Sequence, residues 1–352
     1  MNSFKFVSPL SVVFIFLAIN CTAQLRITFN FAAAQKIAAA LEHPTDRTSI
    51  ESILREPAVK SMMYHCSAFD KRMTDSSFVE TLYLVSHDKP LSADPFRFRQ
   101  AKEKVRECRA LIDYCNSNKT NLETEITRQL AVYANKAIEL KIEVLVTLGS
   151  NSTGWTDDIL PNNFGMDLLN LRGDEVGLKL VSIHELFHMI QSRTFSQRAL
   201  SANRTIDQLL RETILEGSAV MVADYTKVNS GGSYVASEKK SYAANLGKLE
   251  TSFALFDALL FQAKDDPNHS QEQLYNIGLS GMYDSPFYFV GYHICQKVEE
   301  AMGRKKLVDM FESDLLGVYL AYIELYTSRT ALGLPKFSKT TEQTLRSLAT
   351  GK

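Results

Sequence analysis

The sequence lacks an excess of charge of either sign. Its 39 Lys and Arg nearly balance 40 Asp and Glu, for a formal net charge of −1. That leaves no electrostatic footprint for a nucleic acid or an anionic membrane surface. It has no internal repeat and no low-complexity tract, which excludes solenoids and disordered linkers. After the first apolar run, Phe6–Ile19, no segment is long and apolar enough to span a bilayer, which takes about 18 residues. That first run follows a single early cation, Lys5, and is itself too short to span. Cys21-Thr22-Ala23 then supplies small residues where a signal peptidase reads. The expectation is an exported protein (periplasmic, cell-surface or secreted), cleaved between Ala23 and Gln24. Lipidation of Cys21 is the runner-up.

Cysteine is scarce as well. The mature chain keeps Cys66, Cys108, Cys115 and Cys295, in spacings that match no cysteine-based zinc motif. Export permits disulfides, and four cysteines allow three pairings. Cys108 and Cys115 stand about 10 Å apart along a helix, too far to bridge. Buried free thiols are an equal expectation.

What is present is mostly helical periodicity. Apolar spacing predicts helices over 29–41, 48–60, 93–114 and 120–139. Asp94-Pro95 reads as a cap followed by proline at the first helical position. Residues 140–148, LKIEVLVTL, alternate and are rich in β-branched types, so a strand is expected. FGMDLLNL, 164–171, is a second strand candidate. Helices follow at 174–193, 204–227, 236–263, 286–302, 304–314, 316–327 and 337–348. The fold class expected is α+β and mostly helical. The division expected is a signal peptide over 1–23, a helical region over 24–139, and a catalytic domain over 140–352.

Within the helix at 174–193, VSIHELFHMIQ is otherwise almost wholly apolar but carries three ionisable groups. His184 and His188 are four apart, so both project from one helix face. Glu185 lies beside the first of them, able to approach a metal-bound water without ligating. This is the HExxH arrangement, and it predicts a zinc ion. A buried helix carrying such groups needs a partner for them, which a metal supplies. A third ligand is expected in ETILEGSAVMVADY, 212–225. Glu216, beside Gly217 and Ala219, is the choice, and Glu212 one turn earlier is its rival. A metzincin extension is excluded, because Gln191 and Thr194 stand where glycine and histidine would be needed.

HELFH followed by a helix carrying EGSA resembles the gluzincin clan of zinc metallopeptidases, and most of all its uncharacterised exported families. The zinc aminopeptidases of that clan also carry Tyr-x-x-Gly, and Tyr288-Phe289-Val290-Gly291 stands here. The resemblance covers roughly residues 140–315. It implies a zincin-like fold, a peptide or protein substrate, and Glu216 as the third ligand. It also implies Tyr288 as the donor to the developing oxyanion, with His293 and Tyr283 as rivals for that role. The departures are a longer gap from His188 to Glu216, filled by SQRALSANRT, and the absence of an exopeptidase signature. In the reaction expected, Glu185 is the general base and the strand at 141–148 lies along the cleft as an edge. The competing expectation is a zinc-bearing exported protein that binds or scaffolds without cleaving. A third is that the N-terminal helices inhibit the site or face a partner, against the favoured reading that they simply complete the domain.

Overall fold

The structure is a computed structural model. It describes residues 24–134, 139–150, 152–156, 162–266, 272–281 and 284–351. The expected signal segment with Cys21 and the expected cleavage point at Ala23 lie outside the described residues, as does Tyr283. As expected, the fold is mostly helical with a small mixed sheet.

The chain enters the fold as a strand, β1 (Gln24–Asn30), and not as the helix expected from residue 29. Ile27 and Phe29 are buried while Arg26 is exposed, so the period is two up to Asn30. Asn30 then turns the chain: its side-chain oxygen accepts from Ala32 N at 3.1 Å, opening α1 (Ala32–Glu42). The following helices are α2 (Arg47–Leu54), α3 (Pro57–Phe69), α4 (Asp75–Ser86), α5 (Phe98–Glu103), α6 (Val105–Ser117) and α7 (Lys119–Ala131). The single helix expected over 93–114 is therefore two, broken at Lys104. Asp94 does cap, but across a left-handed Arg97 (φ 59°), accepting from Phe98 N and Arg99 N.

Strands β2 (Glu139–Thr147), β3 (Gly154–Trp155) and β4 (Asn163–Asp167) complete the sheet in the order β1-β2-β4-β3. β1, β2 and β4 run parallel, and β3 is antiparallel to β4. This corrects the expected role of the 141–148 segment. β2 is an inner strand, bonded on both sides, and the edges are β1 and β3. The β4 candidate ends at Asp167, whose side chain caps a single helical turn, α8 (Leu168–Leu171).

β3 is only two residues long, and side chains hold it in place. The Trp155 indole lies against Gly165, where an added Cβ would stand 2.1 Å from the ring. Its Nε1–H donates to Ser61 Oγ at 2.9 Å, and the His65 ring stacks on it. Both partners come from α3.

The rest is helical: α9 (Glu175–Thr194), α10 (Arg204–Val222), α11 (Ser233–Leu246), α12 (Leu249–Asp265), α13 (Pro286–Met302), α14 (Arg304–Ser313), α15 (Leu315–Ser328) and α16 (Lys339–Thr350). The expected 236–263 helix is two, parted around Gly247. The expected 204–227 helix stops at Val222, where Asp224 caps a short 3-10 turn. One contiguous core runs from Ile27 to Leu345. Tyr133, just past α7, donates to Glu299 of α13 at 3.1 Å, and Gln129 donates to Val222 O at 2.8 Å. The four cysteines are buried and unbridged, as one of the two expectations had it. Burial pushes the Cys108 and Cys115 thiols up to about 12. No helix among the described residues is long and apolar enough to cross a membrane.

Candidate metal centre

α9 is anchored before it reaches the site. Asp174 caps it, accepting from Gly177 N at 2.9 Å with one oxygen and from Val235 N at 2.9 Å with the other. One buried carboxylate thus joins the starts of α9 and α11. Leu178, Leu180, Ile183, Leu186, Phe187 and Ile190 are buried, so the helix cannot roll. α10 opens on Asn203, which accepts from Thr205 N and Ile206 N.

These anchors bring three side chains together. His184 Nε2 lies 3.2 Å from His188 Nε2 and 3.5 Å from Glu216 Oε2, and His188 Nε2 lies 3.3 Å from the same oxygen. Tetrahedral zinc with bonds of about 2.0–2.1 Å holds its ligand atoms about 3.3 Å apart, so the triangle has the size such an ion demands. Glu216 Oε2 is buried and faces the two histidine Nε2 atoms at 3.5 and 3.3 Å without a well-formed hydrogen bond. A buried carboxylate oxygen left that way is costly, and a cation would satisfy it. The residues fit the metal. Glu212, the rival ligand, lies outside this group of three; burial, then Glu216, pushes its carboxyl up.

A family model described as "Putative zinc dependent peptidase (DUF5700)" matches residues 50–330. The chain belongs to that family. The matched span contains the whole triangle and leaves out β1. Comparison with curated proteins and with solved structures returned no match.

Gln191 is a member of the site that the sequence reading used only to exclude a metzincin. Its side-chain oxygen lies 2.7 Å from His188 Nδ1, and its Nε2 donates to Leu215 O at 2.7 Å and Ser218 Oγ at 3.0 Å. The amide that donates to α10 must present its oxygen to His188, so Nδ1 carries the proton. Nε2 is then left with its lone pair aimed at Glu216 and His184. The signal was a glutamine three residues after a ligand, facing the core of an apolar helix. Gln191→Leu is expected to weaken zinc binding 10- to 100-fold, within the usual range for such supporting partners. Competition with a chromogenic chelator measures it; unchanged affinity would deny the role.

Without a cation the triangle keeps a proton. Burial opposes a charged His188, but the Glu216 carboxylate, and Glu185 behind it, outweigh that and raise its pKa to about 9 from 6.5. Burial likewise opposes a charged Glu216, and the two histidines hold it well below the usual carboxylate range. The folded pKa of His188 lies above the unfolded one. The pair therefore stabilises the metal-free fold fully below pH 6.5 and loses that effect as pH rises through about 9. Zinc takes the neutral imidazole, so uptake at pH 7 should expel about one proton per ion. Calorimetry in buffers of different ionisation enthalpy checks this, with the release vanishing above about pH 9.

Glu185 points the other way, towards the edge strand β3. A Cβ on Gly154 would sit 3.0 Å from Glu185 Cγ and 3.1 Å from Oε1. Tyr288 is in the first turn of α13, its ring stacked 6.5 Å from that of His184. Burial, then Glu216 and Glu185, push its hydroxyl far above the ordinary phenol range, so it stays protonated. His293 lies elsewhere, with its ring against Phe253 and Tyr322. Burial, then Lys297, lowers it to about 4.

Two cavities flank α9 at the triangle. One, of about 360 Å³, is lined by His184, Glu185, Tyr288 and Gly154. The other, of about 730 Å³, is lined by His188, Met189 and the α3 residues Tyr64, His65 and Phe69.

Proposed function

We propose that the protein is an exported zinc peptidase of gluzincin type that hydrolyses peptide bonds. His184, His188 and Glu216 would hold the ion, and Glu185 would act as general base. The observation that carries this is the 3.2–3.5 Å triangle of ligand atoms, with Glu185 and Tyr288 lining the cavity beside it. Export is supported by the Phe6–Ile19 segment and its small-residue follow-on.

When bound, zinc supplies a Lewis acid that brings the pKa of a coordinated water towards ~7. The remaining work falls to the chain. Glu185 takes a proton from the attacking water and passes it to the leaving amine. The C–O bond forms, the C–N bond breaks, and the proton ends on nitrogen. Tyr288, held protonated, donates to the oxygen that gains charge. β3 bonds to β4 on one side only, so its other edge can pair with an extended peptide. Such pairing reads backbone rather than sequence. It also explains Gly154, since any side chain there would press on Glu185.

The test is metal dependence. Purified protein should hold one zinc per chain and cleave an unstructured protein such as casein. A chelator should abolish cleavage, and added zinc should restore it. Zinc-free protein, or cleavage indifferent to the chelator, would sink the proposal.

A further inference from the structure

The 360 Å³ cavity continues beyond the reacting groups to a wall formed by α11. Tyr234 and Tyr242 of α11 line the cavity together with Tyr225, Phe289, Val181 and Val220. Its charged lining is of one sign. Among the described residues it contains Glu185, Glu238 and Asp284, and no lysine or arginine. Two of these carboxylates are accounted for: Glu185 serves the reaction, and Asp284 is exposed and lies 3.5 Å from Lys248.

Glu238 is the one left over. It is half-buried, and its carboxylate has no hydrogen bond or ion pair among the described residues. Burial raises its pKa, and Arg172 opposes that through its field. Burial, then the field of Glu238, pushes the Tyr234 hydroxyl up, and a hydrogen bond with Tyr225 opposes them. A lone half-buried carboxylate among aromatic faces suits a substrate cation: the acid gains a charged hydrogen bond, and tyrosine faces add cation–π attraction.

We propose that this cavity is a specificity pocket for a lysine or arginine side chain of the peptide substrate, selected by Glu238. The inference rests on the peptidase reading above. A substrate's terminal ammonium would offer the same charge. The walls favour a side chain, because an α-ammonium has no stem to cover Val181, Val220 and Phe289.

Internally quenched peptides with acetylated amino termini, varied one position at a time on both sides of the scissile bond, test this. At one position, lysine or arginine should exceed norleucine or citrulline in kcat/KM by on the order of 10- to 100-fold, the range of one charged hydrogen bond. Glu238→Gln should bring that ratio close to one, and Glu238→Lys should turn the preference towards glutamate. The wild-type ratio reads the pocket without any variant. A wild-type ratio near one, a ratio that survives Glu238→Gln, or a basic preference seen only with free amino termini overturns the proposal. Cleavage without basic preference overturns the pocket alone, whereas no cleavage of any peptide overturns the peptidase reading with it.

Discussion

Glu185→Gln is expected to leave one zinc bound per chain and to lower turnover by at least 10²- to 10⁴-fold, the usual contribution of a positioned general base. The substitution keeps the shape of a side chain wedged against Gly154, so packing and fold should survive. What it removes is the proton acceptor. The amide cannot take a proton from the attacking water, nor return one to the leaving nitrogen. The triangle of His184, His188 and Glu216 is untouched, because Glu185 is not among the three. Metal analysis and steady-state kinetics on the same sample separate the two effects. Loss of zinc together with activity would make Glu185 a structural or ligating residue. Unchanged kcat would remove it from the chemistry and require another group to take the proton from the attacking water.

Much of this site was legible because its signals are local. His184 and His188 share a helix face by spacing alone, and the surrounding Ile183, Leu186, Phe187 and Ile190 announce burial. Glu216 was legible through its small neighbour Gly217. Other parts depend on partners far along the chain. QLRITFN alternates as a strand should, yet its match is Glu139–Thr147, more than a hundred residues away. The apolar alanine run after it drew the helix boundary back over Phe29 and Asn30. The position of β2 inside the sheet followed from the same oversight, since an unseen β1 leaves β2 as an edge. β3 has two residues and no periodicity to read. Its existence depends on Trp155 settling over Gly165 and under α3. Gln191 needed α10 to give it meaning.

The glycine of Tyr-x-x-Gly was read as part of a motif, and the structure supplies its physical reason. α10 and α13 cross with backbone against backbone. A Cβ on Gly291 would stand 1.8 Å from Thr213 O, and one on Gly217 would stand 2.2 Å from the Gly291 carbonyl carbon. Real Cβ atoms essentially never approach within 3.0 Å, so Gly291→Ala must drive the helices apart by about 1 Å or deform one of them. Glu216 is the residue before one glycine, and Tyr288 is one turn before the other. The displacement therefore falls on the zinc triangle and on the oxyanion donor together. Overpacking of a tight core costs about 1–3 kcal/mol and occasionally more, and two rigid backbones put this case at the upper end. At about 1–2 °C per kcal/mol for a chain of this size, Gly291→Ala should lower Tm by roughly 3–5 °C. It should also weaken zinc binding, since a ligand moved by 1 Å leaves the ion's bonding range. Gly317 in α15 is the control. A Cβ there meets nothing closer than 3.7 Å, so Gly317→Ala should hold or raise Tm, by the helix preference of alanine over glycine. Scanning calorimetry and zinc competition on the two variants decide it. If Gly291→Ala keeps both Tm and zinc affinity while Gly317→Ala does the same, the crossing does not set the site, and Glu216 must owe its position to Gln191 and the α9 contact alone.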